Sequence, residues 1–390
     1  MQLVFFTHPD FIKSQSMPRF ARMLAEGMRE RGHKVEIWSS PPRLCRLSGP
    51  STLKKWLGYI DQYILFPSQI QRRIKLCSPH TLFVFTDQAL GPWVPLVHDR
   101  PHIIHCHDFL AQQSAKGQIQ ENPTSWTGRL YQSFIQWGYS KGKYFISVSE
   151  KTQHDLHHFL PELPLYSTVV YNGLNWNYTP LEPRKARHLV GAAMGLNLAS
   201  GYLLHVGGNL FYKNRIGVIE LYNAWRLQGG AALPLLLIGE QPSPQLLQAQ
   251  IQSPYKKSIY FISSVPDELV QLAYTGALVL LFPSLAEGFG WPIAEAMASG
   301  CPVITTGEAP MTEVGGTVAF YLPRRPATDN ATTWAQDGAT LIEQVVTLPP
   351  RERAQVVAAG LTNAGRFETN KALNRIEEIY QSILPTFPSE

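Results

Sequence analysis

The chain has few cysteines. The four, Cys45, Cys77, Cys106 and Cys301, lie far apart and form no C-x-x-C pair, which argues against both a cysteine-bound zinc site and a disulfide framework. A reducing, cytoplasmic setting is expected. No apolar run approaches the roughly 20 residues of a membrane span. The first residues, MQLVFFTHPDFI, have no basic flank and no small-residue cleavage site, so they read as a first strand rather than a signal peptide. Repeats of 20 to 50 residues, heptads and low-complexity tracts are also missing, which sets aside solenoids and coiled coils. Charge is sparse at 16%, but 44% hydrophobic content with prolines and glycines scattered throughout describes a folded, globular chain.

At 390 residues the chain favours two domains over one. Short apolar runs alternate with amphipathic helical patterns: LVFFT (3–7), a helix near 18–31, VEIWS (35–39), TLFVFT (81–86), PHIIHCHD (101–108), KYFISVS (143–149) and STVVYNG (167–173). A turn-rich connector, NWNYTPLEPRK, follows. A second series then begins, with YLLHVGG (202–208), LPLLLIG (233–239), SIYFIS (258–263), LVLLFPS (278–284) and PVITT (302–306). This alternation predicts an α/β protein of two doubly wound Rossmann-like domains, with ligands at the carboxyl ends of the strands and a cleft between the domains as the natural active site. The expected divisions are 1–178, 179–368 and a C-terminal helix and tail, 369–390, with room to pack back toward the N-terminal domain.

Residues 1–178 carry 19 Lys+Arg against 12 Asp+Glu, a balance of +7, and the remainder carries 15 against 17, or −2. A basic half fits either an ordinary solvated surface or an anionic partner: a membrane, a phosphorylated acceptor or nucleic acid.

The densest chemistry lies in EGFGWPIAEAMASGCPVITT, residues 287–306. Pro292 is placed to open a short helix, Ser299-Gly300 to end it, and Pro302 to begin a buried strand. A helix N-terminus on a glycine turn binds anions, and glycine lets a phosphate approach closely. Glu295 is expected in the first turn and Glu287 before it. Two carboxylates beside an anion site make sense if they accept hydrogen bonds from ligand hydroxyls. Glu295 also fits as a simple complement to the helix dipole, and Glu287 as a capping box with Ser284. A second element, HVGGNLFYKNR (205–215), runs from a strand into a glycine loop followed by Lys213 and Arg215. It suits a phosphate, or equally an ordinary strand-to-helix turn.

These residues resemble retaining, nucleotide-sugar-dependent glycosyltransferases of family 4, which have the GT-B fold. The resemblance rests on the E-x7-E pair with glycines and an aromatic between its members. It extends through IIHCHDF (103–109), ISVSEKTQHDL (146–156), VVYNGLN (169–175) and LHVGGNLFYKN (204–214). It implies that Glu287 binds donor-sugar hydroxyls and Glu295 the ribose, while the backbone around Gly288, Phe289 and Gly290 holds the diphosphate. Lys213 would neutralise the leaving phosphate, and Gly208, Asn209, Arg215 and Gly239 would line the donor loops. Val265 would touch the nucleobase, and His107 would lie beside the donor sugar, so His107, Lys213 and Glu287 are the candidate catalytic residues. Two departures stand out. Asn209 occupies the place of an arginine usual in the family, with Arg215 as a nearby replacement, and the first loop, THPDFIKSQSMPRF, lacks a glycine pair, leaving Ser16 as a candidate hydrogen-bond donor to the phosphate.

The implied activity is a metal-independent hexosyl transfer with no cofactor. The first donor is GDP-mannose, by likeness to bacterial mannosyltransferases, with UDP-glucose or UDP-N-acetylglucosamine next. The implied partners are a nucleotide sugar and a glycan or lipid-linked acceptor, with no nucleic acid. A non-catalytic sugar-nucleotide or glycan-binding protein on the same fold is the alternative. In LKKWLGYIDQYILF (53–66), Leu53, Trp56, Leu57, Ile60 and Ile64 share a helical face beside Lys54 and Lys55. Such a face is expected either against the core or on an anionic membrane at the inner surface of the cell. The histidines at 98, 102, 105 and 107 read as structural rather than as metal ligands.

Overall fold

The computed structural model of the chain describes residues 1–11, 16–48, 50–174, 178, 181–327 and 331–386, apart from the side chains of Ser16, Ser51, Thr52 and Thr386. The chain forms two units, one of Met1–Asn175 with Thr369–Glu390 and one of Trp176–Glu368.

The first unit is built on β1 (Gln2–Phe6), β2 (Lys34–Trp38), β3 (Thr81–Phe85), β4 (His102–Cys106), β5 (Tyr144–Ser147) and β6 (Tyr166–Val169). They form one parallel sheet in the order β2-β1-β3-β4-β5-β6. Its helices are α1 (Ser16–Glu30), α2 (Ser51–Ile60), α3 (Phe66–Leu76), α4 (Leu110–Ala115), α5 (Trp126–Tyr139) and α6 (Glu150–Phe159). Strands covered on both faces must be apolar throughout rather than alternating, and β1, β3 and β4 are buried along nearly their whole length. The core here is aromatic: Phe6 stacks on Phe85 at 4.7 Å and meets Trp38, Phe66 and Trp93 at tilted or edge-on angles.

The predicted single helix over 53–66 is interrupted. After α2 a π-helical turn, Asp61–Leu65, precedes α3. Asp61 is buried there, and its carboxylate accepts the backbone N–H groups of Arg43, Leu44 and Cys45 at 2.9 to 3.0 Å. Burial would raise its pKa, but those three hydrogen bonds hold it below the ordinary value. Leu53, Trp56 and Ile64 are exposed and Leu57 and Ile60 half-buried, so this face does not pack into the core.

The second unit contains β7 (Leu203–Val206), β8 (Leu235–Gly239), β9 (Ile259–Ser263), β10 (Val279–Phe282), β11 (Val303–Thr306) and β12 (Phe320–Leu322), parallel in the order β12-β11-β10-β7-β8-β9. The strand β12 is absent from the sequence reading because it is three residues long and half-buried, too short for a periodic signal. The helices are α7 (Pro183–Met194), α8 (Arg215–Leu227), α9 (Pro244–Gln252), α10 (Asp267–Gly276), α11 (Trp291–Ala298), α12 (Met311–Gly315), α13 (Ala331–Val346) and α14 (Pro350–Ala364). The sheet core is aliphatic, with Leu203, Leu235, Leu237, Val279, Leu281 and Ile304 buried together.

The last helix, α15 (Thr369–Ile383), belongs to the first unit and packs beside α1. Glu377 pairs with Arg31 at 3.4 Å and with His33 at 2.8 Å, and the Tyr380 hydroxyl meets Nε2 of buried His105 at 2.7 Å. Among the described residues no helix is long and apolar enough to cross a membrane.

Candidate functional site

In the second unit, loops at the carboxyl ends of β7, β8 and β10 bring the predicted residues together. The β7 loop reaches Gly207 and Gly208, and Gly239 ends β8 with φ +149. A Cβ at Gly239 would stand 2.1 Å from the Gly207 carbonyl oxygen, so only glycine allows these two loops to touch. Asn209 is anchored across the same gap, its N–H donating to Glu240 Oε2 at 2.9 Å.

Lys213 and Glu287, 74 residues apart, form a two-pronged ion pair with Nζ to oxygen distances of 2.8 and 3.0 Å. Their side chains are 16% and 7% exposed, so solvent screens the pair little. Asn214 brings them together. It holds the left-handed conformation at φ 50 and caps α8 by accepting the Gly217 N–H, while its Nδ2 donates to the Pro283 carbonyl at 2.9 Å. That clips the 211–214 turn onto the segment leading to Glu287. Sequence reasoning passed over Asn214, although an asparagine before a helical pattern is itself a capping signal.

Arg215 occupies the space beside Asn209. Its Nη1 donates to Asn209 Oδ1 at 2.7 Å and to the Glu240 carbonyl at 3.1 Å, and its plane lies over Phe261. Nε and Nη2 are buried and have no partner among the described residues. Burial pulls the guanidinium pKa down to about 10, against the opposing field of Glu240. Beneath the glycine loop, buried His205 donates from Nδ1 to the Leu281 carbonyl, and burial pushes its pKa down to about 3, leaving it neutral.

The helix carrying the second glutamate begins one residue earlier than expected, at Trp291, with Pro292 second and Gly290 as the uncapped N-cap at φ +100. Glu295 therefore lies in the second turn, not the first, and the helix has no first-turn acid. Simple dipole compensation thus loses its basis, because that effect falls off within one turn. Glu295 is buried, and its Oε2 accepts the Tyr274 hydroxyl at 2.8 Å. Burial, reinforced by this carboxylate, raises the Tyr274 phenol well above its usual pKa. The Ser284 hydroxyl is buried and has no hydrogen-bond partner among the described residues, so no capping box joins it to Glu287. Phe289 packs into the core against Phe367 and Trp291, leaving its backbone, not its ring, at the turn. Val265 sits between β9 and α10 after Ser264, which has a positive φ of 58. Ser16 opens α1, and its hydroxyl lies outside the described residues.

In the first unit, His107 follows β4 and is buried. Its Nε2 donates to the Thr86 carbonyl at 2.9 Å, and its backbone N–H donates to Gln88 Oε1. Burial lowers its pKa, with Asp87 and the Thr86 carbonyl opposing, so the ring is neutral near pH 7. Beside it stands a pair that sequence reasoning missed. Nε2 of His8, from the loop after β1, meets Asp87 Oδ2, after β3, at 2.8 Å, and Asp87 Oδ1 accepts the Ala89 N–H. Asp87 is buried, which by itself would raise its pKa, but His8, His107 and the Ala89 N–H together hold it below the ordinary value. No linear signal links residues 79 apart.

The other histidines make structural contacts. His102 bridges Arg100 and Lys143 backbone groups, His105 meets Tyr380, and His98 meets the Pro95 carbonyl. No group of three or more His, Cys, Asp or Glu side chains arranged to hold a metal occurs among the described residues.

Two family models match the chain, one described as Glycosyltransferase Family 4 over residues 17–177 and one as Glycosyl transferases group 1 over 201–344. O-antigen chain mannosyltransferase B of Escherichia coli is 32% identical over 118 residues, 30% of this chain and 31% of that protein. O-antigen chain mannosyltransferase RfbU of Salmonella typhimurium is 30% identical over 121 residues, 31% of this chain and 34% of that protein. The chain thus spans about a third of the length of the curated relatives it matches. Among solved structures, Anabaena HepE in complex with UDP and glucose aligns with TM-score 0.71 at 16% identity, covering 98% of this chain and 100% of that one. Sucrose-phosphate synthase from Thermosynechococcus elongatus aligns with TM-score 0.74 at 16% identity, covering 99% and 100%.

Proposed function

This chain belongs to the family 4 glycosyltransferases and has the GT-B fold, and on that premise we propose that it transfers mannose from GDP-mannose to a hydroxyl of a glycan or lipid-linked acceptor. In this reading the transfer retains anomeric configuration and needs no metal, and the protein works in the cytoplasm. The observation that carries it is the Lys213–Glu287 pair set beside Arg215 and the Gly207–Gly208 loop. The partial likeness to two O-antigen mannosyltransferases supports the choice of mannose.

The difficult step is departure of a nucleoside diphosphate as positive charge grows at the anomeric carbon. Fixed cations aimed at the leaving oxygen are the largest available aid. Lys213 exchanges its carboxylate partner for the phosphate, and Arg215, whose buried Nε and Nη2 have no partner among the described residues, supplies the charge that Asn209 lacks. Glu287, released from Lys213, accepts hydrogen bonds from sugar hydroxyls, and Glu295, steadied by Tyr274, accepts those of the ribose. Both glutamates position the donor; neither acts as the nucleophile.

A thermal-shift panel of GDP, UDP and ADP sugars tests the reading, because a ligand that binds only the folded state raises the melting temperature. GDP-mannose should give the largest shift, and wild type should hydrolyse it slowly while Lys213→Ala does not. A UDP-sugar shift without a GDP-mannose shift replaces the donor. Turnover of no donor at all makes the protein a binding module.

A further inference from the structure

In the first unit a cavity of about 510 Å³ lies against α2 and α5, walled by Phe11, Tyr59 and Tyr131, with Gln62, Lys54 and Lys55 also in its lining. Its frame is fixed. Asp61 ties down the loop at 43–45, and Tyr131 packs on Tyr59 at 5.2 Å and shares a 2.7 Å hydroxyl contact with Tyr63. Lys54 and Lys55 are exposed and make no ion pair among the described residues; Lys55 Nζ instead lies 5.9 Å from the Tyr59 ring.

The surface around this cavity is apolar. Trp126, Leu130, Phe134 and Trp137 follow one another at helical spacing along one face of α5 and are 39 to 72% exposed. Leu53 and Trp56 of α2 are exposed as well. Ring contacts make this surface continuous with the cavity wall. Trp56 meets Tyr59 at 5.7 Å, Tyr63 meets Phe134 at 5.4 Å, and Phe134 stacks on Trp137 at 5.9 Å. Soluble monomers rarely expose a connected apolar patch of this kind, and tryptophan favours the boundary between lipid and water. Two ammonium groups in the pocket lining, without an ion pair among the described residues, select an anion, in a segment with an excess of seven positive charges.

We propose that this pocket holds the terminal phosphate of a lipid while the exposed rings of α5 and α2 enter the lipid's apolar layer, which makes the acceptor a phosphate-bearing lipid. A terminal phosphate carries about −1.5 to −2 charges, matching two ammonium groups better than a singly charged phosphodiester does. The word acceptor rests on the transferase reading above; binding of a lipid phosphate does not.

Co-sedimentation of the full chain with phosphatidylcholine vesicles tests the inference. The vesicles carry phosphatidic acid, whose phosphate is terminal, or phosphatidylglycerol, whose phosphate is a diester, at equal total surface charge. Wild type should bind the phosphatidic acid vesicles at least fivefold more tightly. Lys54→Gln with Lys55→Gln should erase that preference, and Trp126→Ser with Trp137→Ser should weaken binding to both vesicles about tenfold. Equal binding of wild type to the two vesicles, or a preference that survives the lysine changes, overturns the proposal. A thermal shift with millimolar inorganic phosphate in a chain that binds neither vesicle overturns the lipid source. The donor thermal shift, measured on the same variants, should not change. If wild type shows no donor shift yet prefers phosphatidic acid, the transferase reading fails and the pocket assignment stands.

Discussion

The two units share one architecture, a six-stranded parallel sheet covered by helices, and use it for opposite electrostatics. At the carboxyl ends of its strands the second unit gathers full charges, with Lys213 against Glu287 and, beside them, an Arg215 whose Nε and Nη2 have no partner among the described residues. The first unit gathers buried imidazoles there, His105 and His107, neutral because burial lowers their pKa values, beside an Asp87 that His8 keeps ionised. Ten of the twelve histidines lie in residues 1–178. The contrast extends to the cores, aromatic in the first unit and aliphatic in the second. A shared sheet thus determines where chemistry is presented, and the loops determine which chemistry it is.

The strongest challenge to this contrast is at the ion pair. Lys213→Ala should lower donor turnover by about 10² to 10³-fold, measured by nucleoside diphosphate release. It should also destabilise the protein by about 3 to 5 kcal/mol, because Glu287 is left buried without its partner. Adding Glu287→Gln should restore most of that stability in urea unfolding without restoring turnover. Full turnover in Lys213→Ala would remove the charged site from the mechanism.

Acid should separate the units next. His102, His105 and His205 have folded pKa values pushed to about 4, about 3 and about 3, so each binds its proton more readily once unfolded. Their contribution is complete above the unfolded value near 6.5 and is lost as pH falls toward the folded values, about 2 kcal/mol for each histidine between pH 6.5 and 5. Two of the three lie in the first unit, so its amides should lose hydrogen-exchange protection first at pH 5. His105→Gln should flatten the slope, and a slope unchanged in that variant would refute the assignment.

A smaller effect belongs to the clip. Asn214→Ala loses the cap and places alanine at positive φ, for about 2 kcal/mol in all, while Asn214→Gly should cost clearly less. Equal losses would mean that the backbone conformation carries no strain. Least of all, Arg375→Ala breaks an exposed pair with Glu378 on α15 and should change the urea midpoint by less than about 0.5 kcal/mol.

Much of this was legible in the linear chain. Eleven of the twelve strands among the described residues coincide with runs picked out in the sequence; β1 and β3 read as nearly unbroken apolar runs because strands covered on both faces have no polar side, whereas β2 is exposed at Lys34, Glu36 and Ile37. The glycine loop with Lys213 and the Glu287–Glu295 stretch stood out in the sequence, but spacing left each with an ordinary structural reading as well, and the family resemblance supplied their expected roles. Other features were hidden. The π turn at Asp61 depends on three N–H groups about 16 to 18 residues upstream, and the exposure of the α5 face is invisible in a helical pattern that suits a core equally well. The first-turn placement of Glu295 was off by one residue, enough to put it in the second turn, because a proline fits either of the first two helical positions and the helix starts at Trp291.

What the amino-acid order determined by itself was the succession of strands and helices and which loops carry glycine and charge, since both follow from local periodicity and backbone preference. What only the tertiary structure decided was partnership. Placing β1 beside β3 brings His8 to Asp87, the Asn214 clip turns two separate motifs into an ion pair, and α15 crosses 275 positions of sequence to set Tyr380 on His105. Hydrogen bonds and ion pairs act over a few ångströms, and burial is the main cause that keeps His105, His107 and His205 neutral. Both depend on how the chain folds back on itself.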